Sequence, residues 1–262
     1  EKAVSLVLAG GLIAAIAGPN LASGTRKLYE TPFLGAYLAL AAVALLGMLL
    51  MGFIRFPAVP AKKPGQSTGR PLAEIMRQPI FIVAAAAAAL GYGVMNLLMA
   101  ATPLAMQVCG FEFSDAALVL EWHVIGMFAP GFFTGSLIKR FGALPIMCVG
   151  VLLNLLCIVI ALSGVDLHQF LIALFLLGVG WNFLFTGSTT LSMKAWTPEE
   201  KDRGQAAINF FVFATMALTS FASGALVTTQ GWTWLNVGLL LPVGLTGLAL
   251  AWLYVRQKKA TA

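Results

Sequence analysis

Residues 55–78, RFPAVPAKKPGQSTGRPLAEIMRQ, interrupt a sequence that otherwise consists of long apolar blocks. The stretch contains four prolines and five basic residues. It is also the only long polar connection, since the others run from a few residues to about a dozen. A proline-rich, charged composition is typical of a linker rather than of a packed helix. The stretch therefore predicts a linker, with two apolar blocks before it and six after it.

The composition outside the linker predicts an all-α membrane protein. Of the 262 residues, 60% are hydrophobic and only 10% are charged, with a mean hydropathy of +0.91. A soluble domain carries roughly 25% charged residues, which excludes an ordinary water-soluble enzyme. Blocks of about 20 apolar residues are long enough to cross a hydrocarbon core of roughly 30 Å. The sequence predicts eight such spans: about 3–23, 33–54, 79–107, 115–138, 143–163, 167–192, 204–227 and 233–255.

The basic residues predict how these spans are oriented. When the loops are assigned alternately to two sides, fourteen of the sixteen Lys and Arg residues fall on one side, and only Arg26 and Lys27 fall on the other. Basic residues accumulate on the cytoplasmic side of a membrane. We therefore expect a multi-pass protein of the inner membrane with both termini of this chain in the cytoplasm. The same loops account for the net charge of +6 without a nucleic-acid partner.

Three short motifs resemble those of the major facilitator superfamily. GLIAAIAGP at residues 11–19 resembles the Gly-Pro motif of the fifth helix. GSLIKRFG at residues 135–142 resembles the second G-x-L-x-D-R-x-G loop, between helices eight and nine, with Lys139 in place of the Asp. TPEEKDRGQ at residues 197–205 resembles the loop that enters helix eleven. The three motifs occur where the order of the spans requires them.

This resemblance implies a major facilitator fold, in which two six-helix bundles surround a central cavity. Residues 1–54 are then the last two helices of the N-terminal bundle, 55–78 a cytoplasmic linker, and 79–262 the C-terminal six-helix bundle. The expectation is eight transmembrane helices of twelve, with the remaining four N-terminal helices as a partner. Because residue 1 is Glu rather than Met and a span begins almost at once, we expect the chain to be a piece of a longer protein.

Two pairs of soft side chains predict a metal pathway. Met95 and Met99 are four residues apart, as are His123 and Met127, so each pair shares one helix face. At a rise of 1.5 Å per residue, Met99 and His123 lie roughly 12 Å below the outer surface. The other member of each pair lies at roughly 18 Å by the same rise. Thioether and imidazole ligands favour copper, especially Cu(I), over hard cations.

The residues alone leave a second interpretation open. Methionine commonly fills helix cores, so Met95 and Met99 also fit simple packing. His123 argues the other way, because a histidine deep in a membrane is costly and indicates a functional site. Packing and metal contact both remain open at this point.

A narrower resemblance bears on the choice. M-x-x-x-M in helix seven and H-x-x-x-M in helix eight resemble the motifs of CcoA-like copper transporters, which import copper for assembly of cbb3-type cytochrome c oxidase. The resemblance implies metal-binding roles for Met95, Met99, His123 and Met127. Cys109, at the predicted outer rim, resembles thiols of that group and is a further candidate. Copper would be the transported substrate, and no cofactor is expected.

Other functions stay open beside copper import. Relatives of the same group are linked to riboflavin uptake, so an organic solute such as riboflavin or a drug is the alternative substrate. An enzyme is not expected, because the spans lack H-E-x-x-H and a Ser/His/Asp set. The G-x-S-x-G pattern at residues 65–69 lies in the linker and lacks the strand and helix that a hydrolase needs around it.

The remaining polar residues of the spans carry weaker predictions. Glu121 lies about 200° around its helix from His123, so it is not expected on the metal face. Proton coupling and snorkelling toward the surface are both open for its carboxylate. Asn182 and Asn209 line the cavity or bridge helices, and packing is the favoured role for both. The glycines at 91, 93, 178 and 180, and those at 131 and 135, are expected to allow close helix packing.

Overall fold

A computed structural model of the chain describes residues 2–55 and 69–261, and the side chains of residues 10–55 and 69–259. The described residues form α-helices and contain no β-strand. The helices are α1 (Lys2–Thr25), α2 (Leu34–Gly52), α3 (Leu72–Met76), α4 (Pro79–Val108), α5 (Phe113–Phe128), α6 (Gly131–Phe141), α7 (Ala143–Ser163), α8 (Leu167–Ser192), α9 (Lys201–Thr229) and α10 (Gly231–Thr261).

Seven spans among the described residues are long and apolar enough to cross a membrane: α2, α4, the α5–α6 pair, α7, α8, α9 and α10. These confirm the prediction of an all-helical, multi-pass membrane protein. α1 occupies the first predicted block. A total of eight spanning helices out of twelve stays a prediction.

The block predicted as one span over 115–138 differs from the structure. It consists of two helices, α5 and α6, that meet at Ala129 and Pro130. Proline has no backbone N–H and its ring clashes with the preceding turn, so it interrupts a regular helix. The hydrophobic pattern continues across this break, which is why apolar length alone predicts a single helix.

The end of the predicted linker is helical. Residues 56–68 lie outside the described residues, and so does most of the 65–69 pattern. The end of the linker forms α3, and Ile75 in that helix is completely buried. It packs in a small apolar cluster with Phe81, Ile208 and Val212, among others. The linker thus ends in a segment that is packed against α4 and α9. The division into bundles at 1–54 and 79–262 stays a prediction.

α4 and α8 form the centre of the structure. α8 packs against α4, α5 and α7, and α4 packs against α8, α9 and α10. α1 packs on α5 and α6, and α2 packs on α1. Among the described helices, α8 and α9 do not pack on each other. Both lie on α4, and we refer to the face of α4 between them, which carries Tyr92 and Asn96, as the groove.

Glycines permit the close approach of α8 to its neighbours. A Cβ at Gly178 would meet the backbone of His123 and Met127 on α5, and one at Gly91 would lie 3.2 Å from Leu184 Cδ1. The prediction of close packing is confirmed at these positions. It is wrong for Gly135, where a Cβ would have nothing within 4 Å.

Candidate substrate groove on α4

Three aromatic side chains line the α8 side of the groove. The Tyr92 ring of α4 lies 5.3 Å from the Trp181 ring at an angle of 87°, and 5.7 Å from the Phe185 ring at 79°. Trp181 and Phe185, one turn apart on α8, are stacked at 5.1 Å and 8°. Edge-to-face and stacked contacts of this kind fix ring orientations and stabilise the packing. We refer to Tyr92, Trp181 and Phe185 as the aromatic cluster.

The α9 side of the groove is held by a polar contact. Asn96 follows Tyr92 by one turn of α4, and its side chain is 4% exposed. Its Nδ2 lies 3.1 Å from the Met216 carbonyl, 3.0 Å from Thr219 Oγ1 and 2.8 Å from Ser220 Oγ, all on α9. An amide in an apolar environment needs such partners, so this contact fixes α9 against α4.

The aromatic cluster contains an unpaired donor. Tyr92 and Phe185 are partly buried, whereas Trp181 is 7% exposed. Trp181 Nε1 is buried and has no hydrogen-bond partner, and the same holds for Ser188 Oγ, two turns further along α8. By contrast, Trp232 Nε1 donates to the Ala161 carbonyl at 2.9 Å. A buried donor without a partner carries a desolvation cost of about 1–3 kcal/mol.

The predicted methionine pair lies on the same helix as Tyr92. Met95 is 2% exposed, and Met99 is partly buried against the main apolar core. Met99 follows Tyr92 by seven residues, or two turns, so both face the same side of α4. Met95 and Met127 belong to that core as well. These contacts are what helix packing requires, and a role in metal binding stays a prediction.

His123 is fully buried against α8. Its Nδ1 lies 2.7 Å from the Leu174 carbonyl oxygen. Because a carbonyl only accepts, Nδ1 carries the hydrogen, and in the neutral ring Nε2 keeps the free lone pair. Nε2 is buried and has no hydrogen-bond partner. This is the nitrogen that would bind a metal ion, and the hydrogen bond of the other ring nitrogen runs to α8.

The backbone of Met127 is tied to α8 through Asn182. Asn182 Nδ2 donates to the Met127 carbonyl at 2.7 Å, and its Oδ1 accepts from Thr134 Oγ1 at 2.7 Å. Asn182 thus bridges α8 to both halves of the broken α5–α6 span, which confirms its predicted packing role. Asn209 is exposed and accepts from Gln205 of its own helix at 3.2 Å, so the structure shows no bridge there.

The last two candidates lie away from the groove. Cys109 is an exposed, unpaired cysteine at the C-terminal end of α4. Glu121 accepts a hydrogen bond from Asn20 Nδ2 of α1 at 3.3 Å. The carboxylate therefore faces α1 while His123 faces α8, which agrees with the predicted separation around the helix. Among the described residues, no three His, Cys, Asp or Glu side chains form a group that could hold a metal ion.

An ion pair joins the end of the linker to the start of α9. Glu200 accepts from the Arg70 backbone N–H at 2.6 Å, from Arg70 Nε at 2.9 Å and from Arg70 Nη2 at 2.7 Å. The Thr197 N–H donates to the same carboxylate at 3.0 Å, and Arg70 Nη2 donates to the Ala195 carbonyl at 3.0 Å. The Glu200 side chain is 1% exposed and that of Arg70 43%. The hydrogen bonds from Arg70, more than its charge, lower the pKa of Glu200 to about 2.

Sequence reasoning missed the aromatic cluster, Asn96 and the Arg70–Glu200 pair. Aromatic residues in apolar spans look like core, and the glycines on either side of Tyr92 indicate only close packing. The one available signal is Trp181, since a tryptophan inside a span needs a partner for its N–H.

The fold and the lengths of its apolar helices define a multi-pass helical membrane protein. The sequence pattern of the Major Facilitator Superfamily matches residues 1–191 and 122–262, two overlapping stretches that together cover the whole chain. The chain belongs to this superfamily.

Curated relatives give a finer comparison. The chain is 42% identical over 260 residues, 98% of its length, to the riboflavin transporter RfnT of Brucella anthropi. It is 26% and 29% identical to YddS and YdeG of Bacillus subtilis, two uncharacterised MFS-type transporters. The chain spans 64%, 61% and 55% of the length of these three proteins, respectively.

Proposed function

We propose that the full-length protein carries riboflavin, or a close flavin analogue, across the membrane along the groove on α4. The observation that carries this proposal is the 42% identity to a riboflavin transporter, which extends over 98% of this chain. This identity favours an organic solute as the substrate, whereas the Met and His motifs predict copper. Substrate sites in helix bundles lie between helices, in apolar clefts with a few polar groups.

The groove has the properties that such a solute needs. Riboflavin combines a flat, apolar ring system with carbonyl and N–H groups at its edge. The groove offers aromatic side chains from α4 and α8, and on its other side the Asn96 amide, which is bonded to the hydroxyl groups of Thr219 and Ser220 of α9. In a two-bundle transporter, the N-terminal bundle would cover this groove, and rocking of the bundles would open it to either side.

Growth of a riboflavin-auxotrophic bacterium that lacks its own uptake system tests the proposal. Expression of the full-length protein should restore growth at low external riboflavin and produce saturable accumulation of radiolabelled riboflavin. If the protein reaches the membrane and neither growth nor accumulation exceeds that of the empty vector, the proposal is wrong.

Copper import is the second candidate, favoured by one observation. His123 holds a buried Nε2 without a partner, one helical turn from Met127. If copper is the cargo, His123→Ala and Met99→Ala should abolish cellular copper accumulation at unchanged expression. Met48→Ala, at an exposed methionine of α2, is the matched control and should have no effect. Full accumulation in both ligand variants, or none in the wild type, would exclude copper.

A further inference from the structure

We propose that the aromatic cluster is the site that binds the ring of the substrate, and that this ring is flat, heteroaromatic, uncharged and bears a carbonyl oxygen. The proposal rests on the proposed transport function and assigns the residues that recognise the substrate. It follows from the ring geometry, from one unpaired donor, and from the charges of the helices around the groove.

The ring geometry provides a surface for stacking. Trp181 and Phe185 are nearly parallel, and Tyr92 stands nearly perpendicular to both. Tyr92 and Phe185 are the members that remain partly exposed, and Trp181 lies behind them. Tyr92 also shares its side of α4 with Met99, whose thioether packs well against aromatic rings. A flat ring that enters the groove therefore meets two partly exposed aromatic side chains.

The unpaired indole N–H indicates which group the ring carries. Trp181 Nε1 is buried without a partner, although a tryptophan N–H inside a protein normally has one. A carbonyl oxygen on the ligand would supply the missing acceptor once a rotamer change of Tyr92 or Phe185 opens the way. Ser188 Oγ, on the same face of α8, is a second buried polar atom without a partner.

The helices around the cluster indicate that the ligand is uncharged. α4 contains no Asp, Glu, Lys or Arg, and neither does α8. The nearest charged residues of α9 are in its first turn, beginning at Lys201. On the α4 and α8 side of the groove, an anionic group would lose its hydration without gaining a cation. The site should therefore accept riboflavin and reject its phosphate ester.

Flavin fluorescence provides the test. Riboflavin is titrated with purified full-length protein in detergent, and quenching of its fluorescence reports binding. Trp181→Phe keeps an aromatic ring but removes the N–H, and Tyr92→Leu removes one ring. Each change should weaken binding about tenfold, the usual effect of one lost hydrogen bond or aromatic contact. Trp252→Phe, at a 49% exposed tryptophan of α10, is the matched control and should bind like the wild type.

The outcomes separate the site from the function. Wild-type protein that does not bind riboflavin contradicts the proposed function. Wild-type protein that binds it, together with Trp181→Phe and Tyr92→Leu proteins that bind equally well, overturns the site and leaves the function standing. Phe185→Leu provides an additional test should either variant fail to fold. The phosphate ester should bind at least about a hundredfold more weakly, and equal affinity would contradict an uncharged ligand.

Discussion

Tyr92 and Asn96, one turn apart on α4, hold the two walls of a single groove. The Tyr92 ring contacts Trp181 and Phe185 of α8, and the Asn96 amide donates to three oxygens of α9. α8 and α9 do not pack on each other, and each is packed on α4, where Tyr92 and Asn96 contribute to the two contacts. The first contact provides an aromatic surface and the second fixes the opposite wall.

Asn96→Leu should loosen α9. The substitution keeps the branched shape of the side chain but removes its hydrogen bonds to the Met216, Thr219 and Ser220 oxygens. One polar contact between membrane helices contributes about 0.6 kcal/mol on average. Because Asn96 bonds to more than one oxygen of α9, we expect the free energy of unfolding to fall by about 1 kcal/mol. Thermal unfolding in detergent should show a lower midpoint. Asn209→Leu, at an exposed amide of α9, is the control, and an equal effect in both variants would contradict the role of Asn96.

Gly178→Ala should destabilise the protein because α5 leaves no space for a methyl group. The new Cβ would meet the His123 carbonyl and the Met127 backbone, which cannot move as a flexible side chain can. Overpacking of this kind costs about 1–3 kcal/mol. Gly224→Ala on α9, where a Cβ meets nothing within 4 Å, should be neutral or stabilising by up to about 1 kcal/mol. Comparison of the two unfolding midpoints checks the prediction, and a midpoint for Gly178→Ala at or above that of Gly224→Ala would contradict it.

Glu200→Gln should remove one component of the pH dependence of stability. The Arg70 contacts hold the folded-state pKa of Glu200 at about 2, below its ordinary value of 4.5. A lowered pKa stabilises the folded state above the ordinary value, and this stabilisation is lost as the pH falls toward 2. The unfolding midpoint of the wild type should therefore fall between about pH 5 and pH 2 more steeply than that of Glu200→Gln.

At neutral pH the same variant should unfold several degrees below the wild type, because the Arg70 guanidinium loses its charged partner. Glu30→Gln is the matched control at an exposed carboxylate outside the ion pair. It should unfold at neutral pH as the wild type does. If Glu200→Gln and the wild type show parallel profiles from pH 7 to pH 2, the ion pair does not contribute as described.

Most of the fold follows from the sequence. The length of each apolar block reflects the thickness of the membrane, and the polar stretch at 55–78 marks a connection between helices. The exception is the break between α5 and α6 at Pro130. It has a local cause, because the length of an apolar block carries no information about the missing N–H of a proline. The groove is harder to predict. Met95, Met99 and His123 stand out because their side chains are unusual in a membrane, whereas Tyr92 gains its meaning only from two rings some 90 residues further along the chain.

The copper motif stays a prediction that depends on how its helices pack. Spacing places His123 and Met127 on one face of a helix, but it does not show which helix lies opposite. In the structure α5 packs most extensively on α8, where His123 Nδ1 donates to the Leu174 carbonyl, and it also packs on α1 and α4. Which side chains of two helices come into contact depends on how the helices pack, and a single sequence specifies that packing only through many weak preferences.

Uptake of radiolabelled riboflavin by liposomes that contain the purified full-length protein tests the central claim most directly. The account predicts saturable uptake above that of protein-free liposomes, competition by excess unlabelled riboflavin, and no competition by copper. Uptake no greater than that of protein-free liposomes, from protein that is folded and correctly inserted, would contradict it.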